Sequence, residues 1–309
     1  MRNKLFVVRY AACAAAFTIL FTGCSRKEAD INISVSARSA VIMEIRDSDI
    51  LYQKNPEEKF PPASTAKVMT AIVAIENLPL SDEIVPNEKT VHVEPTVAGL
   101  KPGVKYRLAD LIKAILIKSA NDAALVIAEA VAGSEKEFAV LMNAKAKEIG
   151  MENTYFATAS GLPMGKKDAQ YTTSMDLAKM MRYALQYPII PEYMAQKDTT
   201  IYGSDNKKIY LKTHNKSLFS KKGASWGKTG YTREARRTFV GIDPSRKPRI
   251  IIALLKSNAL WSDIATLKSD GLEIYELRHR HVFSEILRWI SNQRERGRAA
   301  LEVLRPAAE

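Results

Sequence analysis

The order of strand-like and helix-like segments constrains the fold of this chain more than any other feature. Two runs rich in β-branched residues, Ala37–Ile45 and Ile50–Lys54, flank the turn formers of residues 47–49, which predicts a hairpin. Three further strand-like runs come only near the C-terminus, in SWGKTGY, RTFVGID and RIIIALLKS. We therefore predict an α/β (α+β) fold in which both ends of the chain form one five-stranded antiparallel sheet, flanked by helices and a helical lobe.

Helical patterns fill the interval between the two groups of strands. Capping residues, Gly and Pro mark their ends. The predicted helices are Ser64–Glu76, Arg107–Lys118, Ala123–Ala132, Glu135–Ile149 and Ser174–Gln186, with a last helix over about Ser262–Ile290. The terminal helix is expected to pack on the sheet, and a cleft between sheet edge and helical lobe is a natural place for a site.

The first residues have the pattern of an export signal. A basic start is followed by an apolar run, Tyr10–Phe21, which is too short for a comfortable membrane span. The run ends in Phe21-Thr22-Gly23-Cys24, which resembles a bacterial lipoprotein cleavage box with Cys24 as the acylated residue. An ordinary signal peptide cleaved nearby is the alternative. We expect a signal over residues 1–23, a tether over 24–35, one domain over 36–290 and a charged tail over 291–309.

Cysteine content and charge limit the compartment and the partners. The chain has two cysteines, Cys13 and Cys24, and Cys13 would leave with the signal. The exported protein would then have no disulfide, and its stability would depend on a large hydrophobic core. The formal net charge of +12 suits an anionic envelope polymer or a membrane surface. Nucleic acid is not an expected partner, because no binding motif accompanies the charge.

The stretch PPASTAKVMTA places Ser64 one helical turn before Lys67. By itself this can be a helix cap followed by a chance lysine. However, the residues after Lys67 are apolar on nearly every face, which indicates a helix buried all round. Burial lowers the pKa of a lysine, and an uncharged lysine beside a hydroxyl can activate serine as a nucleophile.

Two further triplets are individually weak signals. Ser119-Ala120-Asn121 lies between two predicted helices, where helix capping is the ordinary explanation. Lys228-Thr229-Gly230 lies in a strand-like run, where a glycine often marks the close approach of a ligand or another backbone.

Together, in this order, the three motifs resemble the penicillin-recognising serine enzymes. The segments PPASTAKVMTA, LKPGVKYRLADLIKAILIKSANDAA, GMENTYFATASGLP and GKTGYTREA are similar to the low-molecular-mass D-alanyl-D-alanine carboxypeptidases over about residues 36–290. The resemblance implies a β-lactamase/transpeptidase-like fold, a peptidoglycan stem peptide as substrate, β-lactams as covalent inhibitors and a place in the bacterial cell envelope. Lipid on Cys24, expected from the cleavage box, would anchor the protein there.

The resemblance also implies roles for the motif residues. Ser64 would attack the carbonyl between two terminal D-alanines, Lys67 would be the general base, and Ser119 with Asn121 would pass protons and orient the substrate. The strand would supply the rest of the site. Lys228 and Thr229 would bind the substrate carboxylate, and Gly230 would let the substrate backbone lie close to the strand. The backbone N–H groups of Tyr231 and Ser64 would form the oxyanion hole.

No cofactor is expected. Of the four histidines, His279 and His281 alone have ligand-like spacing and are expected to be surface residues.

The sequence departs from the family pattern at three places. Ser225-Trp226-Gly227 stands where Asp-Gly is common before the lysine, Arg236-Arg237 where small residues are common, and Trp261-Ser262-Asp263 where some relatives carry a carboxylate-binding arginine. Adjacent strand residues point to opposite faces, so at most one of the two arginines is expected to replace the missing cation. Both can instead be solvated turn residues.

The sequence is also compatible with three other functions. One is a D,D-endopeptidase that cuts peptidoglycan cross-links. A class A-like β-lactamase would need a loop glutamate, which ATASGLPMGKKDAQYTT lacks. A non-catalytic wall-binding lipoprotein would not need Ser64 or Lys67.

Overall fold

The computed structural model describes residues 33–163, 170–220, 223–245 and 249–303. The expected signal, Cys24 and most of the tether lie outside the described residues. The chain divides into a main unit, residues 33–275, and a second unit whose described part is residues 276–303. Within the described ranges, no helix combines the length and the apolar character that crossing a membrane requires.

The main unit contains the predicted five-stranded antiparallel sheet. Its spatial order is β2-β1-β9-β8-β7, so the two N-terminal strands extend the three C-terminal ones. Two short pairs, β3 with β4 and β5 with β6, lie outside it. The nine strands in chain order are Ser39–Glu44, Ile50–Lys54, Glu83–Ile84, Tyr106–Arg107, Asp198–Tyr202, Lys208–Lys212, Trp226–Thr232, Arg236–Asp243 and Ile250–Ser257.

Helices precede, separate and follow the strands. We number the α-helices α1 to α8, in the order Lys67–Asn77, Glu88–Val91, Leu108–Lys113, Asn121–Ala132, Glu135–Glu148, Ser174–Ala184, Ile189–Met194 and Leu260–Val303. Two 3₁₀ turns, Ala63–Ala66 and Lys216–Phe219, and one π-helical turn, Ala114–Lys118, complete them. The predicted helices are all present, although several boundaries differ by one or two residues, as hydrogen-bonded ends commonly do.

The central strands are covered on both faces. Every residue of β1 is buried, and α6 packs against β1 and β9. The opposite face is covered by the start of α8, where a Cβ on Gly271 would lie 2.9 Å from Ile42 Cδ1. Asp263, in the first turn of α8, accepts hydrogen bonds from Ser36 and Ser257. This joins the start of the domain to the end of β9.

Several features differ from the sequence prediction. The β3–β4 pair and the short helices α2 and α7 were not predicted. The β5–β6 hairpin was not predicted either, although its strands alternate polar and apolar residues around the turn formers of residues 203–206. The last helix was expected to end near Ile290 but continues to Val303. The charged stretch from residue 291 is rich in Arg, Glu and Ala, and these residues have high helix propensity.

Candidate active site

The serine and the lysine of PPASTAKVMTA meet as their spacing predicts. Ser64 lies in the 3₁₀ turn that precedes α1 and makes no capping hydrogen bond, so the helix-cap interpretation does not hold. Its Oγ is 3.0 Å from Lys67 Nζ. Lys67 is 0% exposed, and the first eight residues of α1 are all buried. The helix buried all round is therefore confirmed.

Lys67 is held by two further groups from distant parts of the chain. Its Nζ donates to Asn121 Oδ1 at 2.8 Å and to the carbonyl oxygen of Ser160 at 2.6 Å. Burial, and secondly the charge of Lys228, hold the pKa of Lys67 well below its ordinary value, while Glu135 and Asp122 act in the opposite direction. An amine whose pKa is lowered in this way is suited to act as a general base.

Ser119 and Asn121 lie in a strained connection rather than at a helix cap. The π-helical turn ends at Ser119, whose backbone is left-handed (φ 64°, ψ 30°). The cap position of α4 is Ala120, which has no capping side chain. A non-glycine residue in this conformation carries a cost of roughly 1–3 kcal/mol that often coincides with function. Here it aims both side chains at buried lysines.

Lys228 is the second buried cation of the site. It lies on β7, is 2% exposed, and its Nζ donates to Ser119 Oγ at 2.9 Å and to the Thr229 carbonyl oxygen at 2.7 Å. Burial lowers the pKa of Lys228 to about 7. The site therefore has two hydrogen-bonded groups, Lys67 with Ser64 and Asn121, and Lys228 with Ser119. The charge of Lys228 acts on Lys67.

Gly230 is the point where β7 approaches the Ser64 turn. A Cβ at this position would lie 2.8 Å from the backbone nitrogen of Ser64 and 3.0 Å from Ala63 Cβ. Thr238, the cross-strand partner of Gly230, donates its hydroxyl to the Pro62 carbonyl at 3.1 Å. β7 is an edge strand of the sheet. Thr229 is partly exposed and Tyr231 exposed along this edge, which leaves room for a ligand backbone.

The sequence did not predict the residues that position the Ser160 carbonyl beside Lys67. Glu135 Oε1 accepts a hydrogen bond from Ala159 N at 3.0 Å, and burial raises the pKa of its carboxyl group. The next residues are Ser160, which contacts Lys67, and Gly161, which packs on the Ser64 turn. Only the glycine of Ser-Gly-Leu-Pro gave a signal in the sequence, because glycine is the residue that tolerates close backbone contact.

The two arginines of β8 are both exposed, and the strand register separates them. Arg237 pairs with Tyr231 and Arg236 with Thr232. Direct partners and alternate residues share a face, so Arg237 shares the face of Thr229 and Tyr231, with its Cζ 6.0 Å from the Tyr231 ring.

Comparisons with known proteins agree on one family. The peptidase S11 family model, described as D-alanyl-D-alanine carboxypeptidase, matches residues 25–259. D-alanyl-D-alanine carboxypeptidase DacF of Bacillus subtilis is 34% identical over 205 residues, which is 65% of this chain and 52% of that protein. DacB2 of Mycobacterium tuberculosis is 31% identical over 244 residues, which is 77% of this chain and 83% of that protein. This chain thus spans about half the length of the Bacillus relative.

Solved structures and other relatives extend the comparison. The crystal structure of a D-alanyl-D-alanine carboxypeptidase from Mycobacterium tuberculosis H37Rv superposes with a TM-score of 0.73 at 30% identity, covering 78% of this chain and 92% of that one. Proteins named D-alanyl-D-alanine endopeptidase also match. The one from Escherichia coli is 27% identical over 243 residues, which is 76% of this chain and 74% of that protein.

Proposed function

The chain belongs to the peptidase S11 family of D-alanyl-D-alanine carboxypeptidases, and we propose that it removes the terminal D-alanine from peptidoglycan stem peptides through an acyl-enzyme on Ser64. The observation that carries this proposal is the 3.0 Å contact between Ser64 Oγ and a fully buried Lys67. A hydroxyl beside an amine of lowered pKa is an activated nucleophile.

The environment of Lys67 suits a general base. An uncharged amine has two N–H donors and one lone pair. Asn121 Oδ1 and the Ser160 carbonyl lie where they can accept the two N–H bonds, which directs the lone pair towards the Ser64 hydroxyl. Lys67 then takes the hydroxyl proton as Ser64 attacks the substrate carbonyl. A proton passed on through the Ser119 hydroxyl goes to the nitrogen of the leaving D-alanine as the C–N bond breaks, while Asn121 orients Lys67 and the substrate. Water afterwards releases the acyl group.

Backbone groups and the strand complete the proposed site. The N–H groups of Ser64 and Tyr231 would hold the developing oxyanion, where one such donor contributes roughly 3–4 kcal/mol to transition-state stabilisation. The close approach at Gly230 supports this, because it brings the strand to the Ser64 backbone nitrogen. Lys228 and Thr229 would bind the terminal carboxylate.

Mass spectrometry of digested muropeptides tests the proposal. Wild-type protein is expected to shorten pentapeptide monomers by one D-alanine and to leave cross-linked dimers largely intact. An endopeptidase would instead convert the dimers into monomers. Endopeptidase activity is the second candidate function, because Asp263 occupies the position of the missing arginine. Its side chain is buried and hydrogen-bonded to Ser36 and Ser257. That region therefore supplies no carboxylate-binding cation.

The pKa of Lys228 predicts the pH dependence of substrate capture. Lys228 binds a carboxylate only when protonated, and its pKa in the free protein is about 7. Since kcat/KM reports the free enzyme, kcat/KM for the pentapeptide should fall above about pH 7, approaching tenfold per pH unit. The Lys228→Arg variant keeps its charge and should lose this alkaline limb. An identical profile in both proteins would contradict the role of Lys228.

The strand register predicts which arginine helps to bind the leaving D-alanine of the substrate. Arg237 shares the face of Thr229, which is partly exposed, whereas Arg236 shares the face of Lys228, which is buried against Ser119. Arg237→Ala should therefore lower pentapeptide turnover relative to cleavage of a cross-linked dimer. The expected loss is roughly twofold to fivefold, because the side chain is exposed. Arg236→Ala is the matched control and should leave the ratio unchanged. If neither variant changes the ratio, both arginines are solvated turn residues and the exopeptidase preference depends on Lys228 and Thr229.

We further propose that the protein acts in the cell envelope, anchored to a membrane by lipid on Cys24. Two acyl chains give stable anchoring where one gives only weak binding. The Cys24→Ser variant should appear in the soluble fraction and lack the lipid mass. Membrane fractionation with intact-mass analysis measures both, and a variant that stays membrane-bound and normally processed would refute the anchor.

A further inference from the structure

We propose that a lysine-lined pocket beside the catalytic residues binds a second carboxylate of the substrate, on an acidic residue of the stem peptide upstream of the D-alanines. This inference rests on the proposed function. The pocket, which we call the lysine pocket, has a volume of about 320 Å³. Its charged lining consists of Lys101, Lys118, Lys207, Lys208 and Asp205.

The walls of the lysine pocket are fixed by hydrogen bonds. On one side, Asp122 is fully buried and accepts from the backbone nitrogens of Ala98, Gly99 and Leu100 at 2.8–3.2 Å. On the other side, the turn of the β5–β6 hairpin is bonded to Lys105 through both the backbone and the hydroxyl of Ser204. A preformed pocket binds a ligand without the entropic cost of ordering its walls.

The charges of the lysine pocket are unbalanced. Asp205 is the single carboxylate among its lining residues, and its ion pair with Lys207 is long, at 3.8 Å. Its other carboxylate oxygen accepts a hydrogen bond from the Lys207 backbone nitrogen. The neighbouring Lys207, through a side-chain hydrogen bond and through charge repulsion, lowers the pKa of Lys101. An anion placed between these ammonium groups would relieve the repulsion. Lysine is suited to this as a compact point charge with three donors.

The lysine pocket and the catalytic residues share one stretch of chain. Lys118 lines the pocket, and the next residue, Ser119, bonds Lys228. Likewise Asn121 bonds Lys67, while Asp122 holds the pocket wall. The pocket lining is therefore one residue along the chain from the side chains that contact Lys67 and Lys228. An upstream side-chain carboxylate of the same peptide matches both the position and the charge.

The experiment compares two pentapeptides that differ only in this carboxylate. One carries a free side-chain acid upstream of D-Ala-D-Ala, the other its primary amide, and both keep the terminal carboxylate. Two readouts are taken: slowing of labelled-penicillin acylation, which reports binding, and release of D-alanine, which reports turnover. Wild-type protein should bind the acid roughly threefold to tenfold better than the amide. This preference should shrink in 1 M salt, where screening is strong.

Variants assign the preference to the lysine pocket. The double variant Lys101→Gln/Lys207→Gln should bind the two peptides equally. Lys105→Gln is the matched control: it is an exposed neighbour that pairs with Glu83 outside the pocket, and it should keep the wild-type preference. A wild type without preference for the acid, or a double variant that retains it, would overturn the proposal. If the acid preference in binding is present but no D-alanine is released, the carboxypeptidase assignment fails and the pocket stands.

Discussion

Replacing Lys67 by alanine is expected to lower the rate of Ser64 acylation by more than the roughly 10²–10⁴-fold that a general base contributes. The loss is expected to be larger because Lys67 also positions the Ser64 hydroxyl, at 3.0 Å. Its removal leaves Asn121 Oδ1 and the Ser160 carbonyl without the donor that they bond in the intact site. The rate is measured as the appearance of labelled penicillin on the protein.

A volume-conserving variant separates chemistry from folding. Lys67→Met fills the buried space without an amine, so it should fold and be equally inactive. Lys113→Ala is the control, because that lysine lies on α3, pairs with Asp110 and lies over the Tyr193 ring. It should acylate at the wild-type rate. Near-normal acylation in either Lys67 variant would mean that the base is another group.

Gly161→Ala is expected to damage both stability and acylation. Gly161 has φ +78°, and a Cβ there would overlap the Ala63 carbonyl oxygen and lie 2.6 Å from its carbon. The left-handed backbone costs a non-glycine residue roughly 1–3 kcal/mol, and overpacking adds a cost of about 1–3 kcal/mol. Either the Ser64 turn or the Ser160 carbonyl must move, so we expect acylation to fall at least tenfold, with the free energy of unfolding lowered by about 2–6 kcal/mol.

Gly150→Ala provides the matched control for this strain. Gly150 has φ +76°, close to that of Gly161, but no atom lies within 4 Å of its potential Cβ. It should therefore show the backbone cost alone and acylate normally. Denaturant unfolding and penicillin labelling of the two variants measure the difference. Equal effects would show that the contact between Gly161 and the Ser64 turn has no special role.

Much of the fold could be predicted from local patterns. The five strands and the order of the helices follow from periodicity and turn formers, and the family and fold expected from three short motifs are confirmed by the family match and the superposed structures. Ser64 and Lys67 are neighbours because residues three apart on a helix are close. That Ser119 and Lys228 belong to one site followed only from the resemblance to a known family, and their 2.9 Å contact was not predicted.

The remaining features of the site could not be predicted because they depend on tertiary contacts. Glu135 looked like an ordinary acidic residue in the first turn of α5, and only the folded chain shows that it holds the loop whose carbonyl contacts Lys67. Burial of Lys228 on all sides likewise comes from packing of separate elements, whereas burial of Lys67 was predicted from the apolar run that follows it. Which face of the sheet each of Arg236 and Arg237 occupies could be read only from the strand register.

Mapping the site of penicillin attachment by mass spectrometry tests most directly whether Ser64 is the nucleophile. The wild-type protein is incubated with penicillin and digested, and the modified peptide is sequenced. We expect one adduct, on Ser64, and no adduct at any residue of a folded Ser64→Ala variant. An adduct on a different residue, or equal labelling of wild type and Ser64→Ala, would contradict the assignment of Ser64 as the nucleophile.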